Sequence, residues 1–251
     1  MCHPHGLTPA FVILSVKKHI PNLFTCLNLL SGSIGIILVL KNNDLRSGAY
    51  LIWLAGLFDF LDGFVARTLK VNSKIGKELD SLADMVTFGL LPAIMVFDMI
   101  QASSGHPILP YTALIITVFS ALRLAKFNID TRQSEHFIGL PTPANALLIS
   151  SLPFIIYQQN FWLTEVLPLS GLLVIITVVF SLLLVSEIKL MALKFKGFQW
   201  EVNKMKYIFI LMALVSLSVF KIKAFPLVIT LYILLSIINN FLISNTRKNP
   251  N

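Results

Sequence analysis

The stretch Leu57–Gly89, LFDFLDGFVARTLKVNSKIGKELDSLADMVTFG, sets the terms for the rest of the chain. Its first part closes an apolar run of spanning length, about 47–66, yet that run carries Asp59 and Asp62 near its end. An acid at membrane depth costs about 2.5–3.5 kcal/mol on insertion scales, so two of them demand a reason. Asp59 and Asp62 are spaced i, i+3, and Asp80 and Asp84 are spaced i, i+4, so each pair shares one face of a helix. A tight turn around Val71–Lys74 makes the two helices antiparallel neighbours. Four carboxylates then converge at one end of a helix bundle.

Outward from this stretch, the composition is that of a membrane protein. Of 251 residues, 56% are hydrophobic and 13% are charged, and the mean hydropathy is +0.80. A soluble domain carries about 25% charged residues, which nearly excludes a water-soluble globule. A spanning helix needs about 20 mostly apolar residues. Eight stretches qualify, at about 22–40, 47–66, 84–101, 109–127, 143–159, 166–187, 206–221 and 224–243. The expected fold is therefore all-α, a polytopic membrane helix bundle of about eight transmembrane helices. Leu7–His19 adds a short N-terminal amphipathic helix lying on the membrane. The apolar start, Met1–Val16, precedes Lys17 and Lys18, the reverse of a cleavable signal. No soluble domain fits between the spans, so residues 1–251 read as one integral-membrane domain with a catalytic core at about 20–200.

Lys and Arg give the direction. With eight spans, sixteen of the twenty basic residues fall on the side of the two termini, and only Lys41, Arg46, Lys221 and Lys223 fall on the other. Cytoplasmic loops carry such an excess, so both termini and the acidic cluster are expected to be cytoplasmic, in the inner cell membrane. The net charge of +8 reads the same way, as orientation and attraction to lipid, not as nucleic-acid binding. Cys2 and Cys26 build neither a disulfide framework nor a zinc site, and the five histidines have no ligand-like spacing.

Four carboxylates cannot sit together ionised without cations. Oxygen-only ligands suit hard ions, Mg²⁺ or Mn²⁺, and there is enough carboxylate here for two divalent ions sharing ligands. Such a pair clamps displacement at phosphorus. Gly63 and Ala66 sit beside the acidic face and admit a ligand to the backbone, and Arg67 follows one turn on, placed to neutralise a phosphate. The plainer alternatives are that the acids pair with Arg67, Lys70, Lys74 and Lys77, and that Gly56, Gly63 and Ala66 serve helix packing.

The pattern Asp59-x2-Asp62-Gly63-x2-Ala66-Arg67-x8-Gly76-x3-Asp80-x3-Asp84 resembles the complete signature of the CDP-alcohol phosphatidyltransferases. These are integral membrane enzymes that move a phosphatidyl-type group from a CDP-linked lipid to an alcohol and release CMP. The resemblance implies that Asp59, Asp62, Asp80 and Asp84 bind two metals, with Asp84 the general base. It also implies that Gly63, Ala66, Arg67 and Gly76 lie along the CDP site with Asp59.

Three further stretches bear on the acceptor. Ile20-Pro21-Asn22-Leu23-Phe24-Thr25-x2-Asn28 opens the first span, Arg123–Asn128 ends the fourth, and Phe137-x-Gly139-Leu140-Pro141-Thr142-Pro143-Ala144 leads into the fifth. Together they resemble the integral-membrane phosphatidylserine synthases within that family. The resemblance implies CDP-diacylglycerol and L-serine as substrates, Thr25 and Asn28 at the CDP site, and Arg123, Lys126 and Thr142 as acceptor or phosphate contacts. It leaves open a homodimer. Each stretch has a plainer reading. Pro21 starts a helix, Thr25 and Asn28 bond neighbouring helices, Arg123 and Lys126 snorkel to headgroups, and Thr142 caps a helix. Two alternative functions stand beside this one: the same transfer to glycerol 3-phosphate or an inositol phosphate, and a cation-coupled transporter with an intramembrane acidic ion site.

Overall fold

The computed structural model describes residues 9–71, 73–130, 137–156, 168–191 and 200–248. The first helix, α1 (Pro9–Asn42), runs 34 residues without interruption and carries Pro21 inside it. The expected surface helix at Leu7–His19 is thus not a separate element. Its described part continues directly into the first span, and residues 1–8 lie outside the described residues. Pro21 does not start the helix either.

α1 turns at Asn43, which takes the left-handed conformation with φ 51°. Asp44 then caps α2 (Leu45–Leu69), its side chain accepting from the Ser47 N–H at 3.0 Å. α2 ends on Lys70, also left-handed at φ 52°, whose N–H closes the last turn. Ser73 caps the next helix by accepting from the Gly76 N–H at 3.3 Å. The tight turn expected near Val71–Lys74 is therefore built from a C-cap and an N-cap three residues apart.

The third span is continuous from Lys74 to Ser103 but changes register in the middle. It comprises α3 (Lys74–Asp84), a π-helical segment (Met85–Leu90) and α4 (Leu91–Ser103). Pro92 supplies the physical cause. It has no N–H to continue the α ladder, and just before it the Leu91 N–H reaches back five residues to the Val86 carbonyl. This span is the centre of the bundle, two thirds buried, with Phe88, Leu91, Met95, Met99 and Ile100 in its core.

A 3₁₀ turn (Leu109–Leu114) leads into α5 (Ile115–Ile129). Then come α6 (Thr142–Ser151), α7 (Pro153–Ile156), α8 (Leu169–Val185), α9 (Trp200–Phe220) and α10 (Phe225–Lys248). Among the described residues, five stretches are long and apolar enough to cross a membrane, and Thr142–Ile156 and Leu169–Val185 are shorter apolar helices. The last long stretch, Asn203–Asn240, is two helices, not one. Lys221 is left-handed at φ 52° and opens a 3₁₀ turn (Lys221–Ala224). In a single helix, Phe209 and Tyr232 would stand about 34 Å apart. Their rings are 5.4 Å apart, so α9 and α10 fold back on one another. Helix thus falls on all eight of the expected spans. Among the described residues the one departure from all-α is a two-residue ladder, β1 (Phe137–Ile138) antiparallel to β2 (Lys189–Leu190), which ties two connecting loops together.

Candidate active site

Three helices each bring a pair of polar residues to one place. α1 contributes Thr25 and Asn28, α2 contributes Asp59 and Asp62, and α3 contributes Asp80 and Asp84. One carboxylate oxygen from each of Asp59, Asp62 and Asp80 lies within 4.8 Å of the others. Thr25 Oγ1 donates to Asp62 Oδ2 at 2.8 Å, with the Pro21 carbonyl a longer second acceptor at 3.3 Å. Asn28 Nδ2 donates to Asp84 Oδ1 at 3.1 Å. Asp62 and Asp84 are each 8% exposed.

Ion pairing does not account for these acids. Among the described residues the one ion pair is Lys126 with Glu187, at 3.5 Å on the surface. Nothing basic lies within that reach of the four aspartates. Asp80 Oδ1 is buried and without a hydrogen-bond partner, and so is Asn28 Oδ1. An orphaned carboxylate oxygen beside two more carboxylates is costly unless a cation satisfies it. The donor set is all oxygen and converges on one point, which fits a hard divalent cation held by Asp59, Asp62 and Asp80.

The cluster opens into a cavity of about 210 Å³, whose lining includes Asn22, Thr25, Asp62, Gly63, Ala66, Gly76, Lys77 and Asp80. Each small residue of the signature has a visible reason. A side chain at Gly63 would start 3.5 Å from Arg67 Nη1, so Arg67 lies back over that glycine. A Cβ at Gly76 would stand 2.9 Å from Asn22 Oδ1, so Gly76 lets α1 close the cavity wall. Gly56, by contrast, meets nothing within 4 Å, so it is not needed for packing within this chain.

Arg123, Lys126 and Thr142 are not part of this cavity. Arg123 is buried, donates from Nε to the Leu140 carbonyl at 2.8 Å, and sits 5.2 Å from the Phe127 ring. Its Nε thereby holds the loop before α6, and its charge lies within electrostatic reach of Asp84. Lys126 pairs with Glu187 at the surface, and Thr142 is buried at the first turn of α6. The N-cap there is Pro141, so Thr142 is not a cap. Five lining residues, Pro21, Asn22, Val71, Ser73 and Lys77, have no assigned part in the metal or CDP site. Asn22 was legible, one turn before Thr25 on the same helix face. Lys77 was legible, being one turn before Asp80 on the same helix face, and its Nζ donates to the Asn128 carbonyl at 3.1 Å.

The sequence model of the CDP-alcohol phosphatidyltransferase family matches residues 18–185. The chain belongs to that family. It is similar to the CDP-diacylglycerol–serine O-phosphatidyltransferase of Helicobacter pylori, 32% identical over 222 residues, covering 87% of this chain and 89% of that one. It is also similar to the archaetidylserine synthase of Methanothermobacter thermautotrophicus, 36% identical over 172 residues and 68% of each chain. The Bacillus subtilis CDP-diacylglycerol–serine O-phosphatidyltransferase is 34% identical over 141 residues, 55% of this chain and 76% of that one. That family is one of transferases, not of ion transporters.

Proposed function

We propose that this transferase is a phosphatidylserine synthase: it moves the phosphatidyl group of CDP-diacylglycerol to the hydroxyl of L-serine and releases CMP, a step of phospholipid synthesis. The observation that carries this reading is the convergence of Asp59, Asp62 and Asp80, with an orphaned oxygen, on a cavity between three helices. The names of the relatives supply the acceptor. Two divalent ions, Mg²⁺ or Mn²⁺, would be held by the aspartates, and when bound they would offset charge on the pyrophosphate and the departing CMP. Lys77 brings positive charge to the cavity wall, and Arg67, lying back over Gly63, brings its charge to Asp62 beside it, both for the donor phosphates. Gly63 and Ala66 leave room for the nucleotide against α2.

Asp84 takes the serine hydroxyl proton. Asn28 occupies its Oδ1, which leaves Oδ2 for that proton and fixes the carboxyl plane. The serine oxygen then bonds to the phosphorus that carries the diacylglycerol, and the bond from that phosphorus to the CMP oxygen breaks. Positioning and electrostatics supply most of the rate in transfers of this kind. The site faces the cytoplasm of the inner cell membrane, where CDP-linked lipid and serine meet, and both termini lie on that side.

The test is CMP release from CDP-diacylglycerol by purified protein, with serine, glycerol 3-phosphate, an inositol phosphate or no acceptor. Serine-dependent release is expected. Faster release with glycerol 3-phosphate or inositol phosphate would reassign the acceptor while keeping the chemistry.

A further inference from the structure

A second and larger cavity, about 540 Å³, opens at the other end of the bundle. That volume lies within the roughly 300–1,000 Å³ range of small-molecule sites. Its polar lining includes Asp44 and Arg46 from the start of α2 and Asp98 and Gln101 from α4. Eighteen residues separate Asp44 from Asp62, and eighteen separate Asp80 from Asp98, about 27 Å of helix in each case. The two cavities therefore belong to opposite faces of the bundle.

Asp98 is the unexplained residue. It lies five positions inside the Ser103 end of a spanning helix, about 7.5 Å along the axis. Among the described residues, neither the Asp98 carboxylate nor the Arg46 guanidinium makes a hydrogen bond or an ion pair. Hydrogen bonds from Ser47 hold the Asp44 pKa below the ordinary carboxylate value, and the Arg46 charge acts the same way. The cavity thus offers two carboxylates and one guanidinium, with Leu45, Ala102 and Pro153 as apolar wall. Next to Pro153, on the lipid side, Phe154 stacks on Trp53 at 5.7 Å, with Tyr50 edge-on to Trp53 at 5.4 Å.

We propose that this cavity is a second lipid site, which takes the headgroup of a zwitterionic phospholipid bearing a phosphate diester and a primary ammonium. The ammonium lies between Asp44 and Asp98, the phosphate meets Arg46, and an acyl chain leaves past Pro153 along the aromatic stack. A bare dication fits less well because Arg46 lines the same space. A simple anion fits less well because two carboxylates do. A quaternary ammonium prefers the open faces of an aromatic cage, whereas here Trp53 and Phe154 present their faces to each other.

The experiment is native mass spectrometry of the purified full chain with phosphatidylethanolamine, phosphatidylcholine or phosphatidylglycerol added in turn. Wild type should retain phosphatidylethanolamine about fivefold better than the other two, and Asp98→Asn should remove that preference. Asp98→Glu should restore it, and Arg46→Gln should weaken all three lipids alike. A melting curve on each variant establishes that it is folded. Asp98→Asn should leave CMP release within about twofold of wild type, since the sites are separated by about 27 Å of helix. Equal retention of the three lipids, or an unchanged preference in folded Asp98→Asn, overturns the proposal. So does loss of the preference in Asp62→Asn, which would assign the lipid to the carboxylate site. Displacement of the lipid by an equal concentration of soluble glycerophosphoethanolamine would show a site for free headgroups and overturn the lipid assignment.

Discussion

Thr25 and Asn28 each hold a different member of the four aspartates by a hydrogen bond. Thr25 fixes the Asp62 carboxylate at the point where Asp59 and Asp80 converge, whereas Asn28 holds Asp84 outside that trio. Replacing Asp59, Asp62 or Asp80 with Asn keeps the shape and removes a ligand charge. Turnover should fall by orders of magnitude while the protein still inserts and purifies, and chelation of wild type should act the same way, reversibly. Full activity in chelator would remove the metal from the reading. Asp84 separates proton transfer from donor binding. Asp84→Asn should lower turnover strongly yet change CDP-diacylglycerol affinity by less than about tenfold, ~1.4 kcal/mol. Asp62→Asn should weaken that affinity more, and one binding assay on both variants decides the matter. If both lose the donor equally, Asp84 is a metal ligand first and the base lies elsewhere.

Packing between elements turns on a few glycines, and here the sequence was only partly legible. The carboxylate pairs could be read because i, i+3 and i, i+4 spacings translate directly into helix faces. The π-helical segment could not, since it depends on Pro92 in a crowded helix. A Cβ at Gly32 would fall 2.2 Å from Thr87 Oγ1, so α1 presses closely on that segment. The loop before α6 was also hidden. Gly139 has φ +75°, and its N–H and that of Leu140 donate to Ile188 and Leu183 carbonyls, both at 2.9 Å. Arg123 holds the Leu140 carbonyl of this loop through its Nε, a contact that a motif, which shows a charge and not its direction, could not give. A Cβ at Gly139 would meet the Leu184 carbonyl oxygen at 2.6 Å, on backbone that cannot swing away. Gly139→Ala should therefore cost about 1–3 kcal/mol, read as a lower melting temperature in detergent. Gly105→Ala, where a Cβ meets nothing within 4 Å, should melt like wild type.

Across the whole molecule, hydropathy located the helices and read α9 and α10 as two spans, about 206–221 and 224–243, where length alone joins them into a single 38-residue stretch. The 5.4 Å approach of Phe209 and Tyr232 separates them, and that fold-back has a consequence for sidedness. Lys223 sits in the turn between the two helices, and Lys41 sits at the end of α1, just before the Asp44 cavity. Lys74 opens α3 beside the carboxylates, and Lys189 lies in the ladder that follows α8. Two crossings by α9 and α10 put Lys223 with Lys41 and away from Lys74 and Lys189. A hairpin that dips into the membrane without crossing puts Lys223 with Lys74 instead. The measurement is labelling by a membrane-impermeant thiol reagent of single cysteines at these four positions. Cys2 and Cys26 are first changed to Ser, since Cys26 is exposed. Cysteines replacing Lys74 and Lys189 should react only when the cytoplasmic face is accessible, and those replacing Lys41 and Lys223 only from outside. Reaction of the Lys41 and Lys74 positions from one face would refute α2 as a span. Reaction of the Lys223 and Lys74 positions from one face, with Lys41 opposite, would leave the active site intact and reduce the bundle to six crossings.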